Sequence, residues 1–192
     1  MRIPATPWQP ARPNYQNPGL VVANNCIPDV GFYRPWRAFE AINENTLLGI
    51  PRGMFVFRRG SDDWVLIYGG GARLYEINSR VTAPVDRSRD GSDYLVQPGD
   101  RWRGLQFGDS IVLTNHRDNV QVMSASAPGT FADLGGTDTD SVEFPPRAKY
   151  LASVRNRVVL AYTSDAVDGE QSTRIWWHGF TNGLPNLETW QP

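Results

Sequence analysis

Trp64-Val65-Leu66-Ile67-Tyr68, Ser110-Ile111-Val112-Leu113-Thr114 and Arg157-Val158-Val159-Leu160-Ala161 can be superposed, with Val65, Ile111 and Val158 separated by 46 and 47 residues. Recurrence at a fixed spacing of this size marks a repeated structural unit. Each run is short, apolar, and bounded by Gly, Asp, Asn or Pro, which reads as a strand. Leu66, Val112 and Val159 are expected to be buried at equivalent places in successive units.

The flanks repeat as well. Met54-Phe55-Val56-Phe57, Gly104-Leu105-Gln106-Phe107 and Tyr150-Leu151-Ala152-Ser153-Val154 precede the three runs. Polar turns separate each pair, supplied by Ser61-Asp62-Asp63, Gly108-Asp109 and Arg155-Asn156. Gly, Asp and Asn provide the positive φ and the local hydrogen bonds that a tight hairpin needs. A third strand follows each run, at Arg73-Leu74-Tyr75-Glu76-Ile77, Val120-Gln121-Val122-Met123 and Arg174-Ile175-Trp176-Trp177-His178. A meander of three or four strands in roughly 40 to 50 residues is the unit of a β-propeller blade.

The fold class is therefore all-β, with β-propeller-like repeats of antiparallel meander blades in residues 51–192 and an extended Pro-rich N-terminal arm and lead-in over residues 1–50. About three blades are too few for a closed propeller, which carries roughly 4 to 8. Trp190-Gln191-Pro192 ends the chain without an evident closing strand, so a longer polypeptide with further blades is expected. An open β-sandwich built from the same strands is the competing architecture.

Pro4, Pro7, Pro10, Pro13, Pro18, Pro28 and Pro35 crowd the N-terminal stretch. Each fixes φ and removes a backbone donor, which suits an extended segment rather than a central strand. The stretch also holds Trp8, Tyr15, Phe32, Tyr33 and Trp36, with Arg12, Arg34 and Arg37 nearby. Aromatic anchors beside Arg are typical of protein interfaces. Trp8, Arg12, Tyr33, Arg34, Trp36 and Arg37 are accordingly the interface candidates of an assembly arm. Residues 37–42 are the one plausible helical piece there.

The chain has 192 residues, a net charge of −1, 40% hydrophobic and 11% aromatic residues, 18 Gly and 15 Pro. This describes a turn-rich folded protein with no global basic excess of the kind general nucleic-acid binding requires. Every basic residue but Lys149 is Arg, a bias that GC-rich coding or a need for bidentate cations would each produce. The single Cys26 excludes an internal disulfide, and two His residues argue against a His- or Cys-based metal centre; no metal and no cofactor is expected. No apolar stretch approaches a membrane span or an export signal.

The motifs that resemble sites have plainer readings. Gly69-Gly70-Gly71 lies between two strands without a helix opening after it, which fits a hairpin turn better than a phosphate cradle. Asp133, Asp138, Asp140 and Glu143 lack the order of a calcium loop and read as an acidic turn. Asp86, Asp90 and Asp93 alternate with Arg87 and Arg89 as a charge-balanced surface loop. Asp63 and Asp109 would be the first candidates for a paired-carboxylate glycosidase, but they recur at turn positions. His116 and His178 offer little to a nucleophile–His–acid arrangement, no catalytic residue is assigned, and Cys26 reads as a packed small residue. Trp64, Trp102, Trp176 and Trp177 belong to the repeats and are expected in packing. Arg58-Arg59 and Arg101-x-Arg103 fit exposed turns, with a DNA-facing role as the other reading.

Asn17-Pro18-Gly19-Leu20, Ala23-Asn24-Asn25-Cys26-Ile27-Pro28, Gly31-Phe32-Tyr33-Arg34-Pro35, residues 68–75 and Pro145-Pro146-Arg147-Ala148-Lys149-Tyr150-Leu151, with Trp177-x-Gly179 and Trp190, make the chain resemble the N-terminal part of short-tailed phage tail hub or nozzle proteins. These are related to packaged-DNA-stabilising tail proteins. The resemblance consists of short matches scattered over nearly the whole chain. It implies a non-enzymatic virion protein made in the host cytoplasm, assembled as a homo-oligomeric ring, a hexamer in the family. Its implied partners are portal and adaptor proteins, tail fibres or spikes, and double-stranded DNA passing without sequence specificity. Near-neutral charge suits a conduit, since a strongly basic wall would hold the phosphates. The family is several hundred residues long. A carbohydrate-binding or glycosidase-type propeller module is the alternative.

Overall fold

The computed structural model describes residues 3–4, 11, 15, 24–29, 32–36, 40–61, 63–79, 81–135, 145–181 and 184–191. The chain divides into two compact units, Met1–Ala41 and Ile42–Pro192. In the first, β1 (Ile3–Pro4), β2 (Cys26–Asp29) and β3 (Phe32–Pro35) form an antiparallel sheet in the order β1-β3-β2. Part of the stretch read as an extended arm is thus paired. Pro4 and Pro28 lie on its two edge strands, where a missing N–H costs no ladder bond, and Pro35 ends the middle one. Glu40, Ala41 and Ile42 are not helical, while residues 37–39 lie outside the described residues.

The second unit is all-β. Its first sheet comprises β4 (Gly53–Arg59), β5 (Asp63–Gly69), β6 (Leu74–Ile77) and β7 (Val85–Asp86). The second comprises β8 (Arg103–Phe107), β9 (Ser110–Thr114), β10 (Gln121–Ser124) and β11 (Ala132–Asp133). The third comprises β12 (Arg147–Val154), β13 (Arg157–Asp165), β14 (Gly169–Thr181) and β15 (Leu184–Gln191). Each is an antiparallel meander whose neighbouring strands are consecutive in sequence. Leu184–Gln191 is the fourth strand of its sheet, with Trp190 opposite His178.

The hairpin that opens each sheet turns on a left-handed residue: Gly60 at φ 66°, Gly108 at φ 59° and Arg155 at φ 54°. Only the third lacks the glycine that adopts this region without strain.

The sheets pack face to face in chain order. Phe57, Val65, Ile67 and Leu74 of the first meet Ile111, Leu113 and Met123 of the second, with Tyr94, Val96 and Trp102 closing one end. Leu105, Phe107, Val112 and Val122 on the opposite face of the second sheet meet Ala148, Leu151, Val158, Leu160, Trp176 and Trp190 of the third. The approach of the first two sheets is close at Gly104, where a Cβ would sit 3.1 Å from Phe57 and 3.2 Å from Phe55 of the first sheet. A two-sheet sandwich does not describe this arrangement, because the second sheet is covered on both faces.

This packing corrects the repeat register. Val65 faces the following sheet, whereas Ile111 and Val158 face the preceding one. Since a one-residue slip reverses the face of every side chain, Val65 and Ile111 are not equivalent. The residues sharing a face are Val65, Val112 and Val159, spaced by 47 and 47, and on the other side Trp64, Ile111 and Val158, then Leu66, Leu113 and Leu160. Val112 is fully buried, but Leu66 and Val159 are only half-buried, because each points away from the stack. Trp64, expected in packing, is 61% exposed for the same reason.

A buried charge cluster reinforces the first interface. Glu76, 1% exposed, receives Arg59 at 2.6 Å and Arg87 at 2.7 Å, and Arg59 Nε also donates to the Ala125 carbonyl of the second sheet at 3.0 Å. Arg89 likewise turns inward, to Asp118 at 2.8 Å and Asp133 at 3.3 Å. Arg87 and Arg89 therefore do not balance Asp86, Asp90 and Asp93 as the sequence suggested. Arg73 takes Asp86 and Asp93 instead, at 3.7 and 2.6 Å.

Candidate functional site: a cation and aromatic cluster

The first strands of the three sheets lie side by side. The Gln106 side chain on β8 brackets Arg58 on β4, accepting from its N–H at 2.8 Å and donating to its carbonyl at 2.7 Å. Arg103 at the start of β8 lies over the ring of Tyr150 on β12, 4.6 Å from its centroid. The chemistry-bearing side chains gather around that second contact.

Lys149 stands 4.8 Å from the Tyr162 centroid, and the rings of Tyr150 and Tyr162 meet edge-on at 6.4 Å. His116, after β9, packs edge-on against Tyr162 at 5.2 Å. The Tyr162 hydroxyl donates to Glu170 at 2.7 Å, a bond that raises its pKa with the help of the carboxylate's charge. Two backbones here are left-handed without glycine, His116 at φ 72° and Tyr162 at φ 55°. Each conformation costs of order 1–3 kcal/mol and is held by its surroundings. For Tyr162 the cause is a register shift in the β13–β14 ladder between Ala161 and Thr163, which turns the ring out beside Lys149.

Burial lowers the His116 pKa, overriding the pull of Glu170, whose Oε2 lies 3.6 Å from Nε2. The neutral imidazole thus serves as a packing wall. The cluster presents the Arg103 guanidinium and the Lys149 ammonium fixed over tyrosine rings, an arrangement worth about 0.5–2 kcal/mol per contact. It can offer positive charge and a stacking surface to an anionic or planar surface.

Beside it a cleft of about 510 Å³ opens between the second and third sheets, lined by Arg89, Arg117, Asp118, Arg147 and Asp165 among others. Its charges are largely paired within the fold, Arg89 to Asp118 at 2.8 Å, Arg117 to Asp100 at 2.8 Å and Asp165 to Arg174 at 3.0 Å.

The residues proposed to face DNA separate in space. Arg101 and Arg103 are exposed at the opening of β8, and Arg58 is exposed near the far end of β4 with its guanidinium on the Ser61 carbonyl at 2.8 Å. Arg59 is committed to Glu76 and is not part of an exposed pair. Asp63 and Asp109 stand in separate turns on different sheets. Asp109 accepts from Ser124 at 2.6 Å and from the Ser126 hydroxyl at 2.8 Å, and these hydrogen bonds hold its carboxyl below the usual range. Gly70 N–H closes on the Arg73 carbonyl at 2.8 Å, making the triglycine the turn between β5 and β6.

In the N-terminal unit, Tyr33 is half-buried in β3, and Arg34 and Trp36 are exposed. Ile27, Arg34, Pro35 and Trp36 line a cavity of about 360 Å³. Trp8, Arg12 and Arg37 lie outside the described residues, as do Asp138, Asp140 and Glu143. Among the described residues no group of three or more His, Cys, Asp or Glu is placed to hold a metal, and no helix is long and apolar enough to cross a membrane.

His116, Tyr162, Glu76 and Trp190 were not singled out as chemical or packing centres from the sequence. Four different strands and a loop supply the aromatic cluster, so no local spacing announces it. No protein-family model matches the chain, and no curated protein matches it.

Proposed function

We propose that the chain is a structural, non-catalytic component of a phage tail, part of a ring-shaped nozzle or hub below the portal and its adaptor that retains and passes double-stranded DNA. The observation that carries this reading is where the charged side chains of the repeat are used. Glu76, Asp109, Asp118 and Asp133 are engaged in bonds that pin turns and sheets together. That is the chemistry of a scaffold. Three meander sheets from one sequence repeat, preceded by a Pro- and aromatic-rich segment, agree with the resemblance read from the sequence.

Arg101, Arg103, Lys149 and the two tyrosines are the groups we assign to passing DNA, by fixed charge and stacking without base readout. Trp36 and Arg34, with Trp8, Arg12, Tyr33 and Arg37, are assigned to the adaptor or neighbouring subunit. A propeller-like carbohydrate-binding module is the second reading, favoured by the exposed Trp64 ring. Antibody labelling of purified particles by electron microscopy separates them: label at the tail is expected. A chain absent from the particle, or one retained on a glycan column through Trp64, overturns the tail reading.

A further inference from the structure

The two ends of the three-sheet stack expose apolar faces of opposite kind. On the third sheet the outward row is Ala152, Val154, Val159, Ile175 and Trp177, with Val154 54% and Ile175 50% exposed. Pairing register makes these the counterparts of Leu105, Phe107, Val112, Val120 and Val122. All five counterparts lie in the core between the second and third sheets. Each of these five residues therefore has an apolar equivalent on the third sheet's free face, which also carries Arg157 beside Val154.

The first sheet's outer face, covered at one end where Tyr68 and Ile77 are buried and open at the other, is the other half of the same contact. Val56, Trp64 and Leu66 are the counterparts of Gly104, Ile111 and Leu113, which face the first sheet, and of Leu151, Val158 and Leu160, which face the second. Val56 and Trp64 are each 61% exposed, and Met54 beside them is 45% exposed. Solvent-facing positions on a half-covered antiparallel sheet are ordinarily polar. Contiguous exposed apolar rows of this kind mark interaction surfaces.

We propose that the outer face of the third sheet docks on the outer face of the first sheet of a second copy of this chain. The occupant follows from the molecule itself, because both halves of this contact chemistry already meet twice within it. One free face is of the kind that covers and the other of the kind that is covered. Such a head-to-tail contact is heterologous and forms a ring when its rotation closes. The inference rests on the stack alone and is independent of the tail reading.

The test is sedimentation velocity of the full chain over a concentration series, beside Trp64→Glu, Ile175→Glu and Val154→Lys, each checked by circular dichroism. Self-association that grows with concentration is expected for the unaltered chain. Each substitution should weaken it at least about thirtyfold, as removal of a central anchor does. Mixing Trp64→Glu with Ile175→Glu should restore a dimer through the one intact contact that the pair still offers. A chain that stays monomeric throughout, an oligomer indifferent to all three folded variants, or a mixture that fails to associate would each overturn the proposal.

Discussion

The second sheet and the two that flank it are built from the same repeat, yet Ile111, Val112 and Leu113 are all fully buried while Trp64 is exposed and Leu66 and Val159 are half-buried. The difference lies in the neighbours and not in the strands. An apolar strand acquires its burial from whatever covers each face, so one sequence pattern yields a two-sided core in the middle of the stack, an open face at one end and a partly covered one at the other, where Tyr68 and Ile77 are buried. The two internal interfaces differ as well. The first is tied by a buried carboxylate between two guanidiniums, and the second is closed by rings, with His178 5.0 Å from Phe107 and 6.0 Å from Trp190.

The largest effect is expected from breaking the charged tie. Glu76→Ala leaves Arg59 and Arg87, both on the first sheet's side of the first interface, without their shared buried carboxylate and should lower unfolding free energy by about 3–5 kcal/mol, read from urea melts. The leucine series then sharpens the contrast between middle and end. Leu113→Ala and Leu160→Ala should each cost about 2–5 kcal/mol, and Leu66→Ala, at the equivalent but open position, less than about 1 kcal/mol. Equal losses at all three would deny the open face. These values refer to the Trp64→Glu background, in which copies are not expected to associate.

Acid should loosen the side of the stack that carries the aromatic cluster. His116 titrates below its ordinary 6.5, chiefly through burial, so the folded state favours the neutral ring. Its contribution is complete above pH 6.5 and declines as pH falls through the lowered value. Burial would raise Asp133, but hydrogen bonds from Gln121, Asn119 and Arg89 outweigh it, and its folded pKa lies below 3.8. That contribution is complete above 3.8 and is lost at lower pH. Melting temperature against pH should show both declines, His116→Gln flattening the upper and Asp133→Asn the lower. The smallest effect is a gain: Arg155→Gly, matching Gly60 and Gly108 at the other two hairpins, should stabilise by up to about 1 kcal/mol.

Much of the strand pattern was legible because turns and apolar runs are local signals. The turns at residues 61–63, 108–109 and 155–156 and three strands of each four-stranded sheet follow from residue type alone, whereas the N-terminal sheet was read as an extended arm. The register did not. In the middle strand every residue of Ile111-Val112-Leu113 is apolar, so the run gives no phase, and alignment on its first β-branched residue slips by one. The two-residue strands Val85–Asp86 and Ala132–Asp133 are too short to carry any period. Arg87 and Arg89 look like surface charges among aspartates, and only the fold reveals that their heads reach Glu76 and Asp118.

The most direct test of the stacked repeat is cysteine protection at its three equivalent positions. In a Trp64→Glu, Cys26→Ser background, Val65→Cys, Val112→Cys and Val159→Cys would each be exposed to a thiol reagent under native conditions. Val65→Cys and Val112→Cys should react only at the rate of unfolding, and Val159→Cys promptly. Protection of all three alike, or prompt labelling of Val112→Cys, would contradict a stack whose middle sheet alone is covered on both faces.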